Sequence, residues 1–354
     1  MMMKATTISF TTAALLSLSG FDTATAAPPA AKTRTPALLV DLTGKGTNPD
    51  GMTLKDGDIY LVMNNLAAKK PARIMRITKD DKLEDVIELP VHPETGVVSP
   101  LGIGFGADGN LYVNDNQSFA GKAMGLSRLL RVVFEKGKAA RVETVANGIN
   151  QANGLAIKGD AIYVCDTSFD TKDPHTSGVY RFALSELSAA KPLKIKAGKD
   201  DPHCILTLKT TGKWPVGANG LTFDSAGNLY VCNFGDSVLW RAKFDGAGKV
   251  TEFKAFCDAK AAGIESLDGA QFDGKGYVWV ADFIGNAIAR ISTDTGKAEI
   301  IAKNAPGDGK SGELDAPSEC IRRGNKVYVS NIDLTFGPNT ADDLQTMSVI
   351  TLEN

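Results

Sequence analysis

One hairpin occurs six times in this chain at a period near 50 residues, and that repeat narrows the fold more than any other feature. In its fullest copy, Asn219-Gly220 leads into Leu221-Thr222-Phe223, a polar turn at 224–228, and Leu229-Tyr230-Val231. Both apolar runs are short and suit a pleated sheet, and the Gly-containing turn suits a hairpin. The equivalent pairs are Asp50-Gly51, Leu101-Gly102, Asn153-Gly154, Asp268-Gly269 and Ser318-Glu319. Successive pairs lie 51, 52, 66, 49 and 50 residues apart. The aromatic residues of the second strand (Tyr60, Tyr112, Tyr163, Tyr230, Trp279 and Tyr328) follow at 52, 51, 67, 49 and 49. Two independent markers thus share one period. Several short strands per repeat of this length predict an all-β, six-bladed β-propeller.

A third strand in five repeats carries an Arg after apolar residues, namely Arg76, Arg131, Arg181, Arg241 and Arg290, a pattern expected of a solvent-facing strand position. Fourth strands are expected at 86–89, 142–145, 205–208, 253–256 and 299–302. The sixth repeat ends after 348–352 with no fourth strand of its own. An apolar strand at 38–42 stands just before the first repeat. We therefore expect the N-terminal strand to complete the last blade, removing the open edges that the ring would otherwise carry. The long spacing of 66 between repeats three and four holds two polar or Lys-rich loops, 166–177 and 187–201. The first is expected to shape access to the channel mouth, because loops on a rigid scaffold often carry specificity.

Ahead of the propeller, Lys4 precedes a mainly apolar run at 8–21 and a small-residue site, Ala24-Thr25-Ala26. This reads as a secretory signal peptide at 1–26, followed by a linker at 27–36 and the propeller at 37–354. The apolar run is too short to span a bilayer, so a periplasmic or secreted protein is expected. The chain is 43% hydrophobic with a net charge of −2, and it has no basic stripe to invite nucleic acid or a membrane surface. A monomer acting on a small molecule is expected. None of the five cysteines is in C-x-x-C spacing, which argues against zinc or thioredoxin-like chemistry. Cys165 and Cys232 hold equivalent places in two second strands and read as small buried residues first, as a disulfide second. The chain has no G-x-S-x-G, Walker or dinucleotide motif.

The chemistry is expected at the start of the innermost strands. These strands surround a propeller's channel and begin at one face, so residues in one register converge. That register reads Asp50, Leu101, Asn153, Asn219, Asp268 and Ser318. Asp-Gly and Asn-Gly also start strands in ordinary turns. Four such residues in blades one, three, four and five, with apolar Leu101 in blade two, form a more particular pattern. Two carboxylates and two carboxamide oxygens are a hard-oxygen set that suits a divalent metal, with Ca2+ the expected ion. Two carboxylates this close would repel without a cation. Ser318 at the blade-six position and His175 in the first long loop are candidate substrate-binding residues. Three scattered histidines cannot make a His-His-carboxylate zinc set.

Asn153-Gly154-Leu155-Ala156, Asn219-Gly220-Leu221-Thr222-Phe223 and Leu267-Asp268-Gly269, with the Tyr-Val-Cys-Asp strand, resemble the gluconolactonase, senescence marker protein (regucalcin) and diisopropylfluorophosphatase family. The resemblance covers essentially the whole chain after the leader. It implies a divalent metal in the central channel, held by an acid from blade one, Asn from blades three and four, and Asp from blade five. Asp50, Asn153, Asn219 and Asp268 stand at those places. The family usually has Glu in the first, so Asp50 is one methylene shorter and a bridging water would fill the gap. The resemblance further implies a hydrolase that opens a lactone or related ester, with Asp268 as metal ligand and as general base or nucleophile, and the leader places it in the exported compartment. Two other readings use the same fold. One is a phosphotriesterase at the same site, and the other is a non-catalytic scaffold propeller of the NHL kind, which shares the hairpin without the metal.

Overall fold

The computed structural model describes residues 33–353 apart from 67, 122–123, 171 and 173. The expected signal peptide and the linker up to residue 32 lie outside the described residues. Residues 33–36 carry no strand, and the Arg34 N–H donates to the Ile301 carbonyl at 2.7 Å.

The chain from residue 33 onward is a six-bladed β-propeller of antiparallel four-stranded sheets, one of which gains a fifth strand. Blade one is Pro49–Lys55, Asp58–Met63, Ala72–Ile77 and Leu83–Leu89. Blade two is Pro100–Phe105, Leu111–Asp115, Ser127–Glu135 and Lys138–Ile149. Blade three is Ala152–Lys158, Ala161–Asp166, His175–Ala183 and Cys204–Thr210. Blade four is Ala218–Phe223, Leu229–Asn233, Val238–Phe244 and Val250–Asp258. Blade five is Ala270–Phe272, Tyr277–Asp282, Ala287–Ser292 and Ala298–Lys303. Blade six takes Pro317–Arg323, Lys326–Asn331 and Thr346–Thr351, and its fourth strand is the N-terminal Ala37–Asp41. Ala37 pairs with Val349 and Asp41 with Thr346. First strands of successive blades contact one another, and that of blade six contacts blade one, so the ring is closed.

The core lies between blades rather than at the centre. Strand side chains alternate between the two faces of each sheet, and every face turned toward a neighbouring blade is apolar. Six buried layers result. One joins blades three and four through Tyr163, Cys165, Leu206, Leu221 and Val231. Another joins blades six and one through Leu42, Met52, Leu61, Tyr328 and Met347. Cys165 and Cys232 are buried thiols, and all five cysteines are free.

Three details depart from the sequence reading. The loop expected at 166–177 is shorter, because Ala161–Asp166 includes its first residue and His175–Ala183 its last three. In the Lys-rich stretch 187–201, Leu193–Lys194 adds in parallel to the edge of blade two, pairing with Ala146 and Asn147. The repeated Arg is also more than a solvated residue. Arg131 and Arg290 stand opposite Glu143 and Glu299 on the fourth strand and pair with them at 2.6 and 2.8 Å. Such half-exposed pairs are worth at most about 1 kcal/mol each, so they favour register more than stability.

Candidate functional site

The antiparallel ladder between first and second strands is interrupted at the same place in several blades. Pairing jumps from Pro49 to Met52, from Pro100 to Ile103, from Ala152 to Leu155 and from Ala218 to Leu221. The skipped pairs are Asp50-Gly51, Leu101-Gly102, Asn153-Gly154 and Asn219-Gly220. In blade five, Asp268-Gly269 precede Ala270–Phe272, and the Asp268 N–H donates to the Ala281 carbonyl at 2.9 Å. Bulges of this kind re-aim one side chain away from the sheet. The glycine that follows is required by close approach. A Cβ on Gly51 would lie 2.1 Å from the Leu101 carbonyl oxygen, and one on Gly220 would lie 2.4 Å from that of Asp268.

The outcome is convergence. Asp50, Leu101, Asn153, Asn219 and Asp268 all line one cavity of about 210 Å3. Among the described residues lining it there is no Lys, Arg or His to balance the two carboxylates. Burial pushes the Asp50 carboxyl up to about 7, against the opposing effect of the Ser318 hydroxyl. Burial first, and then the charges of Asp50 and Glu319, push Asp268 well above the ordinary carboxylate range, while the Asn219 side chain pulls it back. Two acidic and two carboxamide oxygen donors with unbalanced negative charge fit a hard divalent cation. No three Asp, Glu, His or Cys side chains among the described residues form a metal-binding group. A set that is half carboxamide agrees with that finding.

These shifts fix a pH dependence. A carboxyl whose folded pKa exceeds its unfolded value keeps a proton that the unfolded chain has lost. The stabilisation from Asp50 is therefore complete below its ordinary value of 3.8 and disappears as pH rises through about 7. Chelator-treated protein is expected to melt at a lower temperature at pH 8 than at pH 5.5. Added Ca2+ should raise the midpoint more at pH 8, because cation and proton compete for the same oxygens. Differential scanning fluorimetry at the two pH values, with and without Asp50→Asn, measures both effects.

A second register holds the site in place. Three residues after the second-strand aromatic stand Asp115, Asp166, Asn233, Asp282 and Asn331, all fully buried. In four blades this residue accepts backbone N–H groups from the segment leading into its own first strand. Asp115 Oδ1 accepts from Ser99 at 2.8 Å, Asp166 from Asn150 and Gln151, and Asn331 Oδ1 from Asp315. Asp282 accepts from the N–H groups of Glu265, Ser266 and Gly285 and from the Ser266 hydroxyl, all at 2.8–2.9 Å. Asp282→Ala is expected to cost about 3 kcal/mol, because several buried donors lose their acceptor together. It should also weaken cation binding, since the 265–268 segment presents Asp268. Chemical denaturation and calcium titration of the one variant test both halves.

The next residue in each chain segment forms the cavity mouth: Asn116 and Thr167 in blades two and three, and Phe234, Phe283 and Ile332 in blades four to six. One side of the mouth is therefore mainly polar, with Ser118 and Gln151 beside Asn116 and Thr167 and the Phe119 ring among them. The other side is apolar. Sequence reasoning missed this register, although its signal was present as the residue four after each aromatic.

Ser318 and His175 are not among the residues lining this cavity. The Ser318 hydroxyl donates to the Pro49 carbonyl and meets the Ser330 hydroxyl at 3.2 Å, behind Asp50. His175 opens the third strand of blade three, and its Nε2 contacts the Thr167 carbonyl at 2.9 Å. It thus touches the mouth only through the backbone of Thr167. Glu319, missed earlier, takes the register that glycine holds in the other five blades. Its side chain lies against Gly269, and burial pushes its carboxyl up to about 8. Gln271 is its hydrogen-bond neighbour and donates to the Met52 carbonyl at 3.1 Å. Gln271 also lines a separate cavity bordered by Thr53, Gly104 and Thr222.

Comparison with known proteins bears on the fold and on one region of the chain. A family model described as the SMP-30/Gluconolactonase/LRE-like region matches residues 206–305, which include Asn219 and Asp268. No curated protein matches the chain by sequence. Among solved structures, a gluconolactonase from Xanthomonas campestris superposes with a TM-score of 0.55 at 15% identity, covering 92% of this chain and 99% of its own. The calcium-binding protein regucalcin from Agrobacterium tumefaciens gives 0.55 at 14%, covering 90% and 94%. The PQQ-bound aldose sugar dehydrogenase of Streptomyces coelicolor gives 0.54 at 18%, covering 92% and 99%. Such identities establish the fold and leave the chemistry to the site, because one fold hosts many activities. The chain is a six-bladed β-propeller that carries, over residues 206–305, the SMP-30/gluconolactonase/LRE-like region.

Proposed function

We propose that this protein is an exported, divalent-metal-dependent hydrolase that opens a lactone or related carboxylic ester. One observation carries the reading: hard-oxygen side chains from equivalent positions in blades one, three, four and five line a single cavity without a cationic partner. Asp50, Asn153, Asn219 and Asp268 would hold the ion, with Ca2+ the ion that this donor set suits best. When bound, it would supply Lewis-acid polarisation of the ester carbonyl.

The chain's own groups do the rest. In the reaction, the oxygen of water bonds to the acyl carbon, the ring C–O bond breaks, and the ring oxygen leaves with a proton as the product hydroxyl. Asp50 and Asp268 are the two carboxylates of the four and both are deeply buried; Asp268, flanked by Asn219, takes the proton from the attacking water. With the cation bound, the Asp268 carboxyl would stay ionised and so able to accept a proton. Asn219, hydrogen-bonded to Asp268, fixes the orientation of that carboxylate. Asn153 stands below the polar half of the mouth, where the ester oxygens would lie.

The test is metal analysis of the purified protein, then turnover of a lactone and phosphotriester panel with and without chelator. Bound calcium and chelator-sensitive lactone opening are expected. Phosphotriester turnover alone would transfer the site to the other ester chemistry. Absence of both metal and turnover would favour a scaffold.

A further inference from the structure

The mouth of the cavity is divided by chemistry, and the division bears on the substrate. Over blades four to six it is walled by Val216, Phe234, Phe283, Ile332, Leu334 and Phe336. Three of these rings form a triangle: Phe234–Phe283, Phe234–Phe336 and Phe283–Phe336 have centroids 6.1, 6.2 and 6.1 Å apart. Trp214 backs it, with its ring 5.2 Å from that of Phe336. The cluster is separate from the six inter-blade layers and joins residues of blades four, five and six. Its phenylalanine rings line the same cavity as Asn219 and Asp268, the blade-four and blade-five members of the oxygen ring.

From this geometry we infer that the substrate is a lactone or ester bearing an alkyl or aryl substituent, rather than a polyhydroxylated sugar lactone. The inference rests on the hydrolase reading above and specifies its substrate class. The acyl group would lie over the oxygen ring, with its polar edge toward Asn116, Ser118, Gln151 and Thr167. The substituent would lie against the aromatic triangle. A sugar lactone placed there would turn hydroxyls toward a wall with no hydrogen-bonding group. Each hydroxyl desolvated without a partner costs roughly tenfold or more in affinity. An alkyl chain gains about three- to fourfold per buried methylene.

Two series on the calcium-loaded protein separate this inference from the hydrolase reading. One measures turnover of γ-lactones carrying n-alkyl chains from methyl to hexyl, with glucono-δ-lactone alongside. The other measures binding of the matched γ-lactams, which resist hydrolysis, by calorimetry. Affinity for the lactams is expected to rise about threefold per methylene, and kcat/KM for the lactones to rise in parallel. Phe336→Ala should lower the hexyl-to-methyl ratio about tenfold in both series, whereas Phe336→Leu should keep most of it. Phe336 stands in a loop, so the fold should tolerate both changes. Lactone turnover with a flat chain-length profile, or with glucono-δ-lactone preferred, overturns the inference and leaves the hydrolase reading intact. Chain-dependent lactam binding without turnover of any lactone supports the apolar subsite and overturns the hydrolase reading. Flat lactam binding overturns the inference whatever the turnover.

Discussion

Asp268→Asn is expected to lower lactone turnover by about 10^3-fold while the fold stays intact. The substitution keeps the shape of the side chain and its contact with Asn219, and removes both the charge and the proton-accepting oxygen. Because Asp268 is buried beside two other acids, loss of its charge relieves repulsion, so the melting temperature of chelated protein should hold or rise. Calcium affinity should fall, because one of two ligand charges is gone. Asn219→Asp is the complementary case. It adds a third carboxylate to the ring, and should keep or tighten calcium binding while changing turnover. Calcium titration and lactone kinetics on both variants separate ligand from base. If Asp268→Asn turned over lactone at the full rate, its role would reduce to holding the ion at most.

The oxygen ring was legible in the sequence because its signal is local. Each member is followed by a glycine in four blades out of four, and each sits 10 or 11 residues before an aromatic residue. The physical reason for that glycine, a carbonyl of the next blade closer than any Cβ permits, appears only in the folded ring. Strand positions were legible for the same reason, but their lengths were not. Lys138–Ile149 runs to twelve residues where apolar alternation marked four, because its outer half is polar and is held by pairing to Ser127–Glu135. The strand Leu193–Lys194 carries no pattern at all, since two residues cannot show a period. The aromatic wall was missed because it is assembled from blades four and five and the loops near 216 and 336, which no sequence window contains together. Ser318 shares the register of the ring but does not line the cavity, because its short side chain is taken up by the Pro49 carbonyl, the Ser330 hydroxyl and the Asp50 carboxyl behind it.

Removal of residues 1–42 is expected to lower stability by about 5 kcal/mol relative to a chain that begins at residue 33. Two contributions add. Leu42 is fully buried among Met52, Leu61, Tyr328 and Met347, and truncation of such a leucine alone costs about 2–5 kcal/mol. The ladder of Ala37–Asp41 against Thr346–Thr351 is lost as well, which leaves an unpaired edge on blade six. In a chain of this size the midpoint should fall by roughly 10 °C. The consequence should extend to the site, because the same seam positions Asp50. The Leu42 N–H donates to the Gln345 carbonyl at 2.7 Å. The Gln345 side chain in turn accepts from the N–H of Asn48, two residues before Asp50. Asn48 itself donates to the carbonyl of Ile332, a residue of the apolar mouth, at 2.7 Å. Opening the seam thus loosens Asp50 and the blade-six side of the mouth together. The truncated chain should bind calcium more weakly even below its own melting point. Thermal unfolding and calcium titration of the two chains decide the matter, and equal midpoints would show that the N-terminal strand does not hold the ring closed.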